Sequence, residues 1–134
     1  MKKEINMVEQ ETLMQLAQFE EEMKELEQRT AMVDQQIIEL QGLENNLGEI
    51  EKSKENKILA GLGKGIFIPA ELKSRELLVD VGSNVIVKKS FADTKEIVNE
   101  QVKKMFDFKK RIIARMEDIR EEIEKLIRQP EQTR

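Results

Sequence analysis

Apolar residues follow two different periods along this chain. From Leu16 to Leu47 they recur at alternating steps of three and four: Leu16, Phe19, Met23, Leu26, Thr30, Val33, Ile37, Leu40, Glu44 and Leu47. Only Thr30 and Glu44 interrupt the stripe, and the residues between are mostly Glu and Gln. A heptad stripe sustained this long predicts a coiled-coil helix, occupying residues 1–52. A second stripe runs Val98, Gln101, Met105, Phe108, Ile112, Met116, Ile119, Ile123 and Leu126. It predicts a helix over 93–129, starting at Asp93 or Thr94 beside the N-cap residues Ser90, Asp93 and Thr94, and ended by Pro130. The steps from Phe108 to Ile112 to Met116 are four and four, a stutter that relaxes the supercoil. Gly42 and Gly48 weaken the first helix near its end, each by about 1 kcal/mol relative to Ala.

Between the helices, over residues 56–90, the period drops to two. Ile58-Leu59-Ala60 leads into a glycine turn at Gly61–Gly65, a strand Ile66–Leu72 and a turn at Lys73-Ser74-Arg75. A strand Glu76–Val81 then passes through Gly82-Ser83 into Asn84–Lys89. Gly82-Ser83 is the expected two-residue hairpin loop, and the island reads as two β-hairpins. The predicted fold is α+β. A long antiparallel helical coiled coil has its two helices joined by the hairpins, all in a single domain over residues 1–134.

Tight turns return the island to its start, so the helices fold back on one another, with residue 105 near 39 and residue 119 near 25. On that register the first helix overhangs by about ten to fifteen residues. The overhang carries Ile5, Met7, Val8, Leu13 and Met14, apolar side chains without an intrachain partner. With Ile119, Ile123, Leu126 and Ile127 on the returning helix they define an apolar arm tip, and exposed apolar surface marks an interaction site.

The hairpins want cover on both faces. Leu77, Val79 and Val81 point one way, and Val85 and Val87 alternate similarly across the turn. Leu78, Ile86 and Phe67 point the other way. Two-stranded hairpins are marginal in water, and open edges invite pairing with another chain. The expected solution is an obligate oligomer. Hairpins from several subunits would join through Ile58, Leu59, Ile66, Phe67, Ile68 and Leu72 of the first hairpin. From the second they would use Leu77, Leu78, Val79, Val81, Val85, Ile86 and Val87.

Charge sharpens the helix pairing. Residues 1–51 have a net charge of −9, residues 52–92 of +4 and residues 93–134 of +1. The acidic first helix suits the cluster Lys103, Lys104, Lys109, Lys110, Arg111 and Arg115 better than it suits a copy of itself. The chain has neither Cys nor His, so disulfides, thiolate metal sites and histidine acid–base chemistry drop out. No catalytic residues, metal ligands or cofactor are expected. No apolar run reaches the length of a membrane span, and MKKEINMVEQETLMQ lacks the apolar core of a signal peptide, so the expectation is cytoplasmic.

Two segments, ILAGLGKGIFIPAEL (58–72) and LLVDVGSNVIVKKSFADT (77–94), followed by IVNEQVKKM (97–105), make the chain resemble the prefoldin family, in particular its archaeal alpha subunits. The resemblance covers nearly the whole chain and departs at Gly61, where the family favours Pro. It implies a hexamer of two alpha with four prefoldin beta subunits. In it the hairpins assemble into an inter-subunit β-barrel body, with coiled-coil arms projecting from it. It implies an ATP-independent holdase whose arm tips bind unfolded client proteins and deliver them to a group II chaperonin.

Other chemistry reads poorly. Gly61-Leu-Gly-Lys-Gly65 lacks the Ser or Thr and the following helix of a phosphate loop. The run from Lys103 to Arg115 has no aromatics interleaved for base stacking and an acidic helix opposite, so no nucleic acid partner is expected. Pairs such as Glu21-Glu22 and Glu121-Glu122 are adjacent on a helix and do not face each other. The competing reading is a coiled-coil scaffold with one defined partner and no general affinity for unfolded chains.

Overall fold

The computed structural model describes residues 7–132, with side chains as far as Arg128; Ile5 lies outside the described residues. Its elements run α1 (Met7–Lys52), β1 (Lys57–Gly63), β2 (Ile66–Glu71), β3 (Leu77–Asp80), β4 (Ile86–Lys89) and α2 (Phe91–Gln132). They divide into two compact units, Met1–Gln36 with Met105–Arg134, and Ile37–Lys104.

The first unit is an antiparallel helix pair. Leu26, Val33, Ile112 and Ile119 are buried in its seam, and Leu16, Phe19, Met23 and Thr30 are half-buried beside them. The Thr30 hydroxyl is satisfied inside the seam by donating to the Leu26 carbonyl at 2.9 Å. Two ion pairs cross the seam: Lys109 Nζ lies 2.6 Å from Asp34 Oδ1, and Arg115 grips Glu22 with two hydrogen bonds of 2.6 and 2.9 Å. From Lys109–Asp34, twenty-three residues of α2 reach Gln132 and twenty-seven of α1 reach Met7; from Arg115–Glu22 the numbers are seventeen and fifteen. At equal rise per residue the excess of α1 within the described residues is at most a few residues, short of the expected ten to fifteen, and residues 1–6 of that overhang lie outside the described residues. Helix α2 also continues past Pro130, its predicted end; a missing N–H there costs a single hydrogen bond near a helix end.

The seam of α2 corrects the expected stripe. Gln101 and Phe108 are exposed, whereas Val102 is buried and Lys109 half-buried. The seam positions are then Val98, Val102, Met105, Lys109, Ile112, Met116, Ile119, Ile123 and Leu126, a regular three–four repeat without a stutter. Lys109 holds its place because its alkyl stem covers the seam while its ammonium reaches Asp34.

In the second unit Leu47, Phe91 and Val98 form a buried cluster, with Leu40, Ile50 and Leu77 packed against it. Helix α2 starts at Phe91, ahead of the expected Asp93 or Thr94. Ser90 is the cap, its Oγ accepting from Asp93 N at 3.1 Å and its carbonyl from Thr94 N at 3.0 Å. Starting earlier also buries Phe91. Gly42 and Gly48 stay helical with open space around them, so packing of Leu40 and Leu47 outweighs their weak propensity.

The hairpins close on matching turns. In the first, Lys64 (φ 53°) and Gly65 (φ 79°) are the two turn residues, Gly63 pairs with Ile66, and Leu62 is bulged out. In the second, Val85 N donates to the Gly82 carbonyl and Val81 N to the Val85 carbonyl, both at 3.0 Å. The turn residues are therefore Ser83 (φ 53°) and Asn84 (φ 62°) rather than Gly82-Ser83. Gly82, at φ 108°, instead takes the irregular position before the turn, as Gly63 does at 107°. Both pairs of positive φ values twist the strands as a hairpin requires, and Asn tolerates that region. β1 runs through Gly63, so the glycine turn is shorter than expected; β2 to β4 are trimmed by one or two residues at their ends.

Candidate interaction surfaces

Each hairpin is a separate two-stranded sheet, β1 with β2 and β3 with β4. Leu59, Ile66, Phe67, Ile68, Leu78, Val81, Val85 and Ile86 are exposed, Leu78 by 71% and Phe67 by 60% of their surface. Ile58, Leu72, Val79 and Val87 are half-buried. Leu77 is spoken for within the chain, packing on the Leu47–Phe91–Val98 cluster, so it belongs to the base and not to a free face. β1, β3 and β4 are thus part-covered on one side, while residues 66–69 of β2 are exposed on both.

Magnitude decides what these faces need. Covering eight large apolar side chains already half in contact with protein is worth about 1 kcal/mol each, on the order of 8 kcal/mol in all. Association costs a comparable amount in lost freedom, about 4–15 kcal/mol. One shared contact is marginal, and several around a closed assembly are not.

A clamp sets the hairpins on their base. The Arg75 guanidinium, in the link between β2 and β3, donates from Nη1 to the Ile50 carbonyl at 2.8 Å. From Nη2 it donates to the Ser53 and Glu55 carbonyls at 2.6 and 3.2 Å. These lie at the end of α1, where carbonyls lack intrahelical donors and the helix dipole favours a cation. Leu72 N adds a bond to the Asn56 carbonyl at 2.6 Å. Arg75 was not among the expected site residues. Along the sequence it is one of three residues in the expected turn Lys73-Ser74-Arg75, and nothing there marks its acceptors.

At the other end of the chain's helices, Met7, Val8, Leu13 and Ile127 are exposed, Met7 by 77%, and Met14 joins them. Ile123 and Leu126 are half-buried. Ile119 is fully buried at 0% exposure, which removes it from any tip surface: a heptad seam residue serves the helix pair itself. The Glu22–Arg115 pair flanks the same unit. Its hydrogen bond to Arg115 holds the Glu22 carboxyl below the ordinary glutamate range, and the carboxylate raises the Arg115 guanidinium in return.

Two long helices joined by two separate antiparallel hairpins define a fold class of their own. The prefoldin subunit family model matches residues 19–133. The chain therefore belongs to the prefoldin family, whose members are chaperone subunits and not enzymes. It is 31% identical over 108 residues to prefoldin subunit alpha of Methanobrevibacter smithii, covering 80% of this chain and 74% of that one. With prefoldin subunit alpha of Thermofilum pendens it shares 30% over 101 residues, covering 69% and 74%. A chain from the cryo-EM structure of filamentous PFD from Methanocaldococcus jannaschii superposes with a TM-score of 0.74 at 16% identity. That match covers 84% of this chain and 95% of the other, and it supports the fold. Among the described residues no helix is long and apolar enough to cross a membrane.

Proposed function

We propose that this chain is the alpha-type subunit of a cytoplasmic, ATP-independent holdase. Its hairpins join those of prefoldin beta subunits, two alpha with four beta, in a shared β-barrel body. Its arms hold unfolded client proteins for transfer to a group II chaperonin. The observation that carries the reading is the pairing of two apolar surfaces at separate places in one chain. Leu59, Phe67, Leu78 and Ile86 face solvent on the hairpins, and Met7, Val8, Leu13 and Ile127 do so on the helix pair. One set suits permanent burial between subunits, the other reversible contact. With several arms on one body, weak contacts add through effective concentration, and flexible Met side chains adapt to varied surfaces.

The test is suppression of aggregation of a chemically denatured protein by the assembled complex. Replacing Met7, Val8, Leu13 and Ile127 by Ser in the complex should abolish suppression while leaving the assembly's subunit composition unchanged. Undiminished suppression would rule out the tips as the holding surface and favour a scaffold with one defined partner.

A further inference from the structure

The two edges of the first hairpin are not equivalent, and the difference lies in the main chain. Leu72 N donates to the Asn56 carbonyl at 2.6 Å, which sets the hydrogen-bonded pairs of the β1–β2 ladder. Alternation along the register turns Asn56, Ile58 and Ala60 towards Leu72, Ala70 and Ile68. The pairs between them are Lys57 with Glu71, Leu59 with Pro69 and Gly61 with Phe67. These turn their main-chain groups away from the hairpin, towards its outer edges. On β1 all three outward residues have an N–H to offer. On β2 the middle one is Pro69, which has none, and its ring stands where a neighbouring strand would bring a carbonyl.

The second hairpin offers shorter edges. Val81 N donates to the Val85 carbonyl, so the outward residues are Leu78 and Asp80 on β3, and Ile86 and Lys88 on β4. Glu76, next on that side of β3, already spends its N–H on Ser74 Oγ at 3.1 Å. β1 therefore has the longest uninterrupted edge of the four strands. Its outward residues also lie on an uncovered face: Lys57, Leu59 and Gly61 are exposed, Leu59 by 68%. Evenly spaced main-chain donors and acceptors beside an apolar side chain are matched by an added extended strand.

Charge narrows the choice of strand. Residues 52–92 carry eight cations and four anions. Arg75 is taken up by carbonyls, and the seven lysines have no ion-pair partner among the described residues. A second copy of this chain would set a net +4 against a net +4, whereas a hairpin with a carboxylate excess would not. We propose that β1 is the edge on which the first hairpin receives a neighbouring subunit's strand, and that this strand belongs to a hairpin of net negative charge. β2, closed by Pro69, ends the ladder. The inference rests on the subunit-assembly reading and adds to it which edge is used and where the shared body has its seam. The added strand sets an apolar residue beside Leu59 and brings its carboxylates to the unpaired lysines.

Amide hydrogen exchange resolved to single residues, on the full chain alone and saturated with a prefoldin beta subunit, tests this. The amides of Leu59 and Gly61 slow by about tenfold or more in the complex, and those of Phe67 and Glu71 do not. Pro69→Val supplies the missing donor, so Phe67 and Glu71 then slow as well and sedimentation velocity shows larger assemblies. Leu59→Pro weakens beta-subunit binding about tenfold more than Leu59→Ala, since both lose the side chain and only proline loses the N–H. Circular dichroism checks that each variant still folds. Phe67 and Glu71 slowed as much as Leu59 in the parent complex, no response to Pro69→Val, or equal binding by the two Leu59 variants would each overturn the edge assignment and leave the subunit reading standing. Slowing of Leu59 and Gly61 in the chain alone would assign the edge to a second copy and overturn the choice of partner. If no complex forms, the subunit reading and this inference fall together.

Discussion

Arg75→Ala is the perturbation whose cost follows most directly from the geometry. The side chain gives up three hydrogen bonds, to the carbonyls of Ile50, Ser53 and Glu55 at 2.8, 2.6 and 3.2 Å. The first is part-buried. The other two are exposed and share one nitrogen, Nη2. A hydrogen bond from a charged donor contributes about 1.5 kcal/mol net when shielded, and exposed ones about 0.5 kcal/mol together, since water replaces them. The expected loss is about 2 kcal/mol. For a chain of this size that lowers the melting midpoint by about 8 °C. Thermal melts by circular dichroism, at fixed subunit concentration because assembly couples to stability, measure it. Arg75→Lys should recover only part, as one ammonium cannot span three carbonyls placed around a planar fork. Amide exchange over residues 49–57 should quicken in both variants. A melt of Arg75→Ala within error of the parent chain would show that the clamp is ornamental, and full rescue by Lys would refute the fork argument.

Three further outcomes follow from other sites. Gly82→Ala forces a side chain into φ 108° with open space around it, so the loss of about 1–3 kcal/mol is backbone strain and should appear in a urea titration of the assembly. Glu44 has an Oε1 that is buried with no hydrogen-bond partner, so Glu44→Leu should stabilise by about 1 kcal/mol in the same titration. Glu22 is depressed by its bond to Arg115, so its contribution is present above the ordinary glutamate range and lost as pH falls through its lowered folded value. Glu22→Gln should therefore lower the melting midpoint at about pH 7 and leave it equal to the parent's at about pH 2, below the usual carboxylate range.

Much of this architecture was legible in the residues, and the failures have physical causes. Every stripe position of α1 from Leu16 to Leu47 is buried or half-buried, because a heptad over that length admits one register. On α2, ranking by hydrophobicity put Phe108 in the seam ahead of Lys109. The fold chose the lysine because its stem packs and its charge finds Asp34, a partner invisible along one helix. Ser90, an N-cap candidate by its residue type, is the cap. The helix nevertheless began earlier than expected, since Phe91 is anchored by Leu47 and Val98, contacts from distant sequence. In the second hairpin Gly82 drew the turn towards itself, while the two positive-φ positions fell on Ser83 and Asn84. Ile119 belongs to the heptad stripe as well as to the end of the chain, and the stripe decides: it is buried against the partner helix and not free at the tip. Arg75 could not be read at all, since its acceptors are main-chain carbonyls carrying no residue-specific signal.

The claim beneath all of this is that solvent-facing hairpin residues such as Leu78 and Ile86 are sealed by other subunits. Sedimentation velocity on the full-length chain, alone and mixed with a prefoldin beta subunit at micromolar concentration, addresses it. The account requires the folded chain to sediment well above its 15.6 kDa protomer mass, and Leu78→Ser with Ile86→Ser to shift it towards that mass. A stably folded 15.6 kDa species in both samples, indifferent to those two substitutions, would contradict it.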